Sequence, residues 1–317
     1  MDDADQGARG LRARPGPALL HALREHWGLG GSAGAVDLGG SSSLNLLVDA
    51  AEGRYVARVH RPHLTPERLA AIHQARTALR AGGVPCAPPV PTLDGAPWIS
   101  LKGRLVEVEP YVEHDAKLDT WERLATGMPV LARAHNLLGR LEAGEAGRRP
   151  RFANHLEPAE VPSTVRRGTG RIGAWGPTHA ERRLAAVAEE LAELVTEAEA
   201  GLGSRLPRQL VHGDFWDNNV LFRHGRPVLV ADFDFMGERA RIDDLALTLH
   251  CARSDLSPEG GPPSRRQRGT RAGRRAPDAG RAGPLAERLR PLRRRVAVSC
   301  PSGPGAAGPA RPSAGGG

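Results

Sequence analysis

The chain has 317 residues, 40% of them hydrophobic, enough for two modest cores. No stretch approaches the roughly 20 apolar residues of a membrane span, and the opening Asp2, Asp3 and Asp5 do not suit a signal peptide, so a cytoplasmic protein is expected. Cys86, Cys251 and Cys300 form no CxxC pair, which argues against a disulfide framework or a zinc site. From Cys251 onward 14 arginines face 4 acidic residues, so the net charge of +8 belongs to the tail and nucleic acid is not an expected partner of the body.

Leu19, Leu20, Leu23 and Trp27 recur at helical spacing and predict a helix over residues 17–28. A small-residue turn, Asp37 to Asn45, then leads into Leu46–Val48. Gly53 and the β-rich run Arg54–Val59 complete a predicted hairpin. Thr65 followed by Pro66 and Glu67 marks a helix start, and Gly82-Gly83 its end. Four prolines, Pro85, Pro88, Pro89 and Pro91, force an extended connector before strand-like runs at 98–101 and 105–108.

Beyond residue 112 the pattern turns helical. Asp119 is a candidate cap for a helix that presents Met128, Leu131, His135 and Leu138 on one face. Residues 148–178, rich in Arg, Gly and Pro, read as a long loop. Leu184, Val187, Leu191 and Leu194 predict a helix over 179–200. Short β-runs at 220–222 and 228–230 precede a helix at 241–251. Past Ala252 apolar periodicity stops. Residues 253–317 are expected to be disordered, and their GC-biased composition is also what an out-of-frame reading would produce.

The stretch richest in chemistry is His212 to Leu221 followed by Val230-Ala-Asp-Phe-Asp234. Phosphoryl transfer needs a carboxylate to orient and deprotonate the attacking hydroxyl, oxygen ligands for a metal, and a phosphate cradle. Asp214, Asn219 and Asp232 lie on a loop, strand, turn, strand sequence that can bring three such groups to one pocket. The bland alternative makes them turn formers between strands.

HGDxxxxN followed by a strand and DFD resembles the aminoglycoside phosphotransferase and choline kinase superfamily, across about residues 17–250. The resemblance implies an α+β, two-lobed protein-kinase-like fold: an N-lobe of residues 1–108, a hinge at 109–112 and a helical C-lobe at 113–252. It implies ATP and Mg²⁺ as cofactors. Carried over by position, Asp214 is the catalytic base, and Asn219 and Asp232 are the Mg²⁺ ligands. His212 orients the loop, and His135 packs beneath it. Gly40, Ser41, Ser42 and Ser43 would cover the phosphates, with a plain loop as the alternative. Arg58 stands where the kinase pattern has a phosphate-binding lysine. Glu109 and Tyr111 fall in the segment resembling the adenine-holding hinge. Gln74 lies near the turn where an acidic partner of Arg58 is expected, and it carries no charge. His60, His63 and His73 show no metal spacing and are expected to be solvated. Asp243 or Asp244 is expected to tie the metal loop to the helical lobe, or merely to cap a helix.

The implied activity is transfer of the ATP γ-phosphate to a hydroxyl of a small molecule such as an aminoglycoside, amino alcohol or sugar. The alternative is an impaired pseudokinase or nucleotide-binding protein of the same fold. Asp115, Asp119 and Asp217, or Trp121, Trp175, Trp216 and Tyr111, are the groups available to an acceptor pocket.

Overall fold

The computed structural model describes residues 12–30, 35–150 and 155–255. The expected disordered or out-of-frame tail lies, from residue 256 on, outside the described residues. Two helices and a sheet make up the first half. Helix α1 (Pro17–Trp27) buries Leu19, Leu23 and Trp27 of the expected face, while Leu20, expected with them, is exposed, and the helix stops at Gly28 with φ of 69°. It lies against an antiparallel sheet of order β1-β2-β3-β5-β4, formed by β1 (Val36–Gly39), β2 (Leu44–Ala50), β3 (Gly53–Val59), β4 (Ile99–Leu101) and β5 (Arg104–Pro110). Leu19, Leu23 and Trp27 pack with Leu44, Leu46, Ala57, Val59, Val106 and Val108 in one apolar cluster. The β3–β5 register sets Arg58 opposite Glu107, so both side chains share the other face of the sheet from Ala57 and Val108.

Helix α2 (Pro66–Ala81) begins as the sequence indicates, with Thr65 Oγ1 accepting from Arg68 N at 3.2 Å. Its Leu69, Ile72, Ala75 and Leu79 enter a second apolar cluster with Leu131 and Leu138 of α3 (Trp121–Leu138). Phe222, Val220 and Val230 complete this cluster from β8 (Val220–Arg223) and β9 (Arg226–Val230), which pair in a small sheet with β6 (Ala116–Lys117). Helix α2 is therefore packed on β8 and β9, the strands that begin after Asn219 and end just before Asp232.

The cap of α3 is Thr120, whose Oγ1 accepts from Arg123 N at 3.2 Å. Asp119, the expected cap, is instead drawn into an ion pair with the Arg123 side chain. After α4 (Gly144–Arg148), the region read as loop contains helix α5 (Val161–Ala174). Val161, Val165 and Ile172 form a sparse apolar stripe there that the surrounding Arg, Gly and Pro obscure. Helix α5 lies along α6 (His179–Leu202), which opens with a capping box between Thr178 and Glu181. The α6 periodicity holds, but its burial does not. Leu184 is 67% exposed and Leu191 44% exposed, and Ala192 is the sole buried position of the helix among the described residues. Strands β7 (Arg208–Val211) and β10 (Gly237–Ala240) pair antiparallel, and α7 (Ile242–Asp255) closes the described chain.

Leu79 is fully buried at the junction of α2 with the second cluster. Leu79→Ala should cost about 3 kcal/mol of unfolding free energy, a transfer loss plus a residual cavity. Urea denaturation checks this, with a lower midpoint at unchanged slope expected.

Candidate active site

The His212–Asn219 loop leaves β7 through Gly213, whose φ is 81°. A Cβ on this residue would stand 2.1 Å from Phe235 O, so only glycine permits the approach of the two loops. The loop is held by one carboxylate at the start of α7. Asp244 Oδ2 accepts from His212 N at 2.9 Å, Oδ1 accepts from Gly213 N at 2.7 Å, and His135 Nε2 lies 2.9 Å from Oδ2. Burial acts to raise the Asp244 pKa, but the His135 hydrogen bond, the nearby His212 ring and the Gly213 N–H together hold it below the usual carboxylate range. Of Asp243 and Asp244 it is thus Asp244 that ties a loop down, and the loop it holds directly is His212–Asn219 and not the expected Asp232 segment. His135 sits beneath the loop, as expected, and acts on it through Asp244.

His212 is buried and its pKa is lowered, chiefly by that burial. Asp214 N donates to Nδ1 at 3.2 Å, which leaves Nε2–H to donate to Ala231 O at 3.1 Å. The ring is therefore a neutral strut between the two loops, packed against Phe233 at a centroid distance of 4.5 Å. Asn219 Nδ2 donates to both Asp214 O and Asp214 Oδ2 at 2.9 Å. Ala231 N in turn donates to Asn219 O at 2.8 Å, so the residue before Asp232 is clipped to Asn219. Asp214, Asn219 and Asp232 are brought together by these bonds.

Asp232 has φ of 62°, a left-handed conformation uncommon outside glycine and asparagine. Its Oδ1 accepts from Arg58 Nη2 at 2.6 Å. Arg58 also lies 3.4 Å from Asp234 Oδ2, and Ser43 Oγ donates to the same oxygen at 3.3 Å. The Gly/Ser turn and β3 therefore both meet the Asp232–Asp234 segment. Gly40 is required here, since a Cβ would fall 2.4 Å from Ser43 O. Ser41 is exposed and Ser42 half-buried at the tip, so only Ser43 of the three faces the loop. Burial of Arg58 works to lower its pKa, and Asp232, Asp234, Glu107 and Glu109 outweigh it and raise the pKa above its already high value. Arg58 Nε is buried and without a hydrogen-bond partner among the described residues.

The histidines require a correction. His63 is exposed, but His60 and His73 are buried against one carboxylate. Glu107 Oε1 lies 3.1 Å from His60 Nε2, Oε2 lies 2.7 Å from His73 Nε2, and Arg76 Nη1 donates to Oε2 at 3.0 Å. Burial would raise the Glu107 pKa, yet Arg76 and the two histidines push it well below the ordinary value. The helix thus supplies a cation, Arg76, where an acidic residue is expected, and strand β5 supplies the acids. Gln74 points elsewhere, donating to Glu142 O at 3.3 Å. Glu107 and Arg76 were missed as network members. The signal available was the period-two pair Glu107 and Glu109 within an otherwise apolar strand.

Glu109 lies within β5, bonded to Arg76 Nη2 at 2.5 Å, and lines one cleft with Arg58, Ala87, Ala231 and Asp232. Burial raises its pKa. Tyr111 does not line this cleft. Its N–H donates to Arg54 O at 2.9 Å and its ring takes the Arg54 guanidinium at 4.3 Å. Asp115 accepts from His224 N at 3.0 Å, and Asp119 is paired with Arg123, so these two acids do not converge on Asp214. Trp121 and Trp175 are exposed.

Two consequences can be measured. Gly213→Ala should destabilise the chain by several kcal/mol, because a strained φ and a backbone clash act together; thermal denaturation would show it. A carboxyl whose folded pKa lies below its unfolded value adds stability that is complete above the unfolded value and is lost as pH falls through the folded one. Asp244 and Glu107 both fall in this class. Stability should therefore begin to decline below about pH 6.5, where His212 is protonated in the unfolded chain first, and fall more steeply below about pH 4.5 as the carboxylates titrate, and Asp244→Asn should flatten the steeper part. Urea midpoints measured from pH 7 to 3 check the sign.

No helix among the described residues is long and apolar enough to cross a membrane. A family model described as the phosphotransferase enzyme family matches residues 35–285. The homoserine kinase of Caulobacter vibrioides is 27% identical over 227 residues, covering 69% of this chain and 65% of that protein. That of Caulobacter sp. strain K31 is 29% identical over 224 residues with the same coverage. The matched region spans just under two thirds of the length of these curated relatives. Among solved structures, an amicoumacin kinase in complex with AMP-PNP, Ca²⁺ and Ami superposes with a TM-score of 0.56 at 14% identity, covering 79% of this chain and 72% of that one. A spectinomycin phosphotransferase in complex with ADP and spectinomycin gives 0.53 at 18% identity, covering 74% of each. With a match over most of its length, and with the α+β, protein-kinase-like architecture these structures share, the chain belongs to the phosphotransferase enzyme family.

Proposed function

We propose that the protein is an ATP- and Mg²⁺-dependent kinase that phosphorylates the hydroxyl of a small amino alcohol, homoserine being the first candidate. The observation that carries this reading is the joined triad: Asn219 bonded to the Asp214 carboxylate and clipped through Ala231 to Asp232. The homoserine kinase relatives support the choice of acceptor class.

The residues suit the groups they would hold. Asn219 and Asp232 offer an amide oxygen and a carboxylate, hard donors of the kind Mg²⁺ takes. Arg58 Nε is a buried donor without a partner among the described residues, and a phosphate oxygen would satisfy it. When bound, Mg²⁺ supplies neutralisation of phosphate charge. Asp214 orients the acceptor hydroxyl and takes its proton as the hydroxyl oxygen forms the bond to the γ-phosphorus. The bond from that phosphorus to the β,γ-bridging oxygen breaks, and ADP leaves with the electron pair. Asn219 holds the Asp214 carboxylate in place for this through Nδ2. Gly40 to Ser43 cover the phosphates, and Glu109 lines the nucleotide cleft beside Arg58 and Asp232.

A second reading has its own observation. Arg58 is bonded to Asp232 at 2.6 Å, so a metal and a phosphate must together displace that pair. A protein in which the pair stayed closed would be an impaired pseudokinase.

Coupled-assay turnover with ATP, Mg²⁺ and homoserine separates the two. Asp214→Asn should lower kcat by about a thousandfold and leave nucleotide affinity within about twofold. Asp232→Ala should weaken Mg²⁺-ATP binding by at least about tenfold. Wild-type protein that binds Mg²⁺-ATP but turns over no homoserine, amino alcohol or aminoglycoside would establish the second reading instead.

A further inference from the structure

A second cavity, of about 140 Å³, is distinct from the cleft that Asp232 lines. It sits between the start of α2 and the chain at residues 146–150. Arg61, His63, Arg68 and Arg149 line it with Thr65 and Pro150, and no carboxylate does. It shares no lining residue with the cleft of Arg58 and Asp232. The first-turn donors of α2 are already used. Arg68 N goes to Thr65 Oγ1, and the Glu67 carboxylate turns back on its own N–H. The field of the cavity therefore comes from its side chains.

Arg68 is the central observation. It is 6% exposed, and its Nη atoms donate to four carbonyl oxygens, those of Ala146, Gly147, Asp234 and Met236. These partners are neutral. Its Nε is buried with no partner among the described residues. Burial, reinforced by Arg61 and Arg239 and only partly offset by Asp234, lowers its pKa to about 10, the direction expected of a cation short of counter-charge. Arg149 is 83% exposed at the rim, with Glu145 a distant 4.0 Å away, and His63 is exposed beside it. A buried guanidinium with an unused donor, ringed by three further basic side chains around a void of this size, is the arrangement that a tetrahedral oxyanion completes.

We propose that this cavity is a binding site for a phosphate-class dianion, either inorganic phosphate or the phosphate of a phosphomonoester, separate from the nucleotide cleft. Because Arg68 also holds the carbonyls of Asp234 and Met236, an anion there bears on the segment that carries Asp232.

The test uses thermal denaturation of the full chain without nucleotide, titrated with sodium phosphate at ionic strength held constant with sodium chloride. Wild-type Tm should rise by about 3 °C at saturating phosphate relative to the chloride control. His63→Ala with Arg149→Ala alters only exposed rim positions, so its Tm in chloride should match wild type, and its apparent phosphate affinity should fall at least about fivefold. Arg149→Lys should retain most of the response, a check on the fold of the variants. Titration with O-phosphoserine separates the two sources. An equal response to both defines a site for any phosphate group, and a response to phosphoserine alone restricts it to phosphomonoesters. No rise above chloride with either ligand, or a rise that the double variant keeps in full, would overturn the proposal. None of these readouts involves ATP or turnover, so they stand apart from the test of kinase activity.

Discussion

The buried charge layer around Arg58 is the constraint on which the site depends. Arg58 reaches Asp232 and Asp234, and Glu107 directly across the sheet gathers His60, His73 and Arg76. Sheet, helix α2 and metal loop all contribute to it. Such a layer is poor value as stabilisation, since each desolvated charge costs several kcal/mol that its partners only roughly offset. What it sets is geometry. A shift of β3 relative to the Asp232 segment would leave a guanidinium or a carboxylate buried without its counter-charge, and that penalty holds the elements in register.

The same logic, on a smaller scale, governs Asp244. One carboxylate satisfies two consecutive backbone donors at His212 and Gly213 and a histidine from α3. Through His212 and Ala231 O the order reaches the strand end before Asp232. The loop needs no regular secondary structure to be precise, because its donors and acceptors are paired one by one with groups on rigid elements.

These arrangements were legible in the sequence to different degrees. The hairpin at Gly53, the capped helix after Thr65 and the HGDxxxxN and DFD segments are local patterns, and local physics makes them. Asp244 was narrowed to two neighbours, since its role depends on which carboxylate faces back to β7. The buried state of His60 and His73 was not legible. Burying them depends on Glu107, 47 residues from His60 and 34 from His73, and no periodicity announces a non-local partner. Helix α5 was hidden for a different reason: glycine and proline lower its intrinsic propensity, and its support comes from lying along α6. The exposed leucines of α6 show the converse, a strong local pattern whose burial needs a partner surface that the described residues do not provide.

The reversal of charge between α2 and β5 carries a mechanistic consequence. Were Arg58 held by an acidic residue of the helix, its move toward a phosphate would cost the bond that keeps the helix in place. Here the position of α2 is secured by Arg76 and His73 on the strand carboxylates Glu107 and Glu109, and by Arg68 on the carbonyls beside Asp234. On the function proposed above, Arg58 would exchange Asp232 for a phosphate oxygen while the helix stays anchored. The same exchange would free the Asp232 carboxylate to hold a divalent cation. On that function, too, the Arg58–Asp232 pair would serve as a placeholder that neutralises both groups and is displaced by a ligand bringing a negative phosphate and a positive metal together.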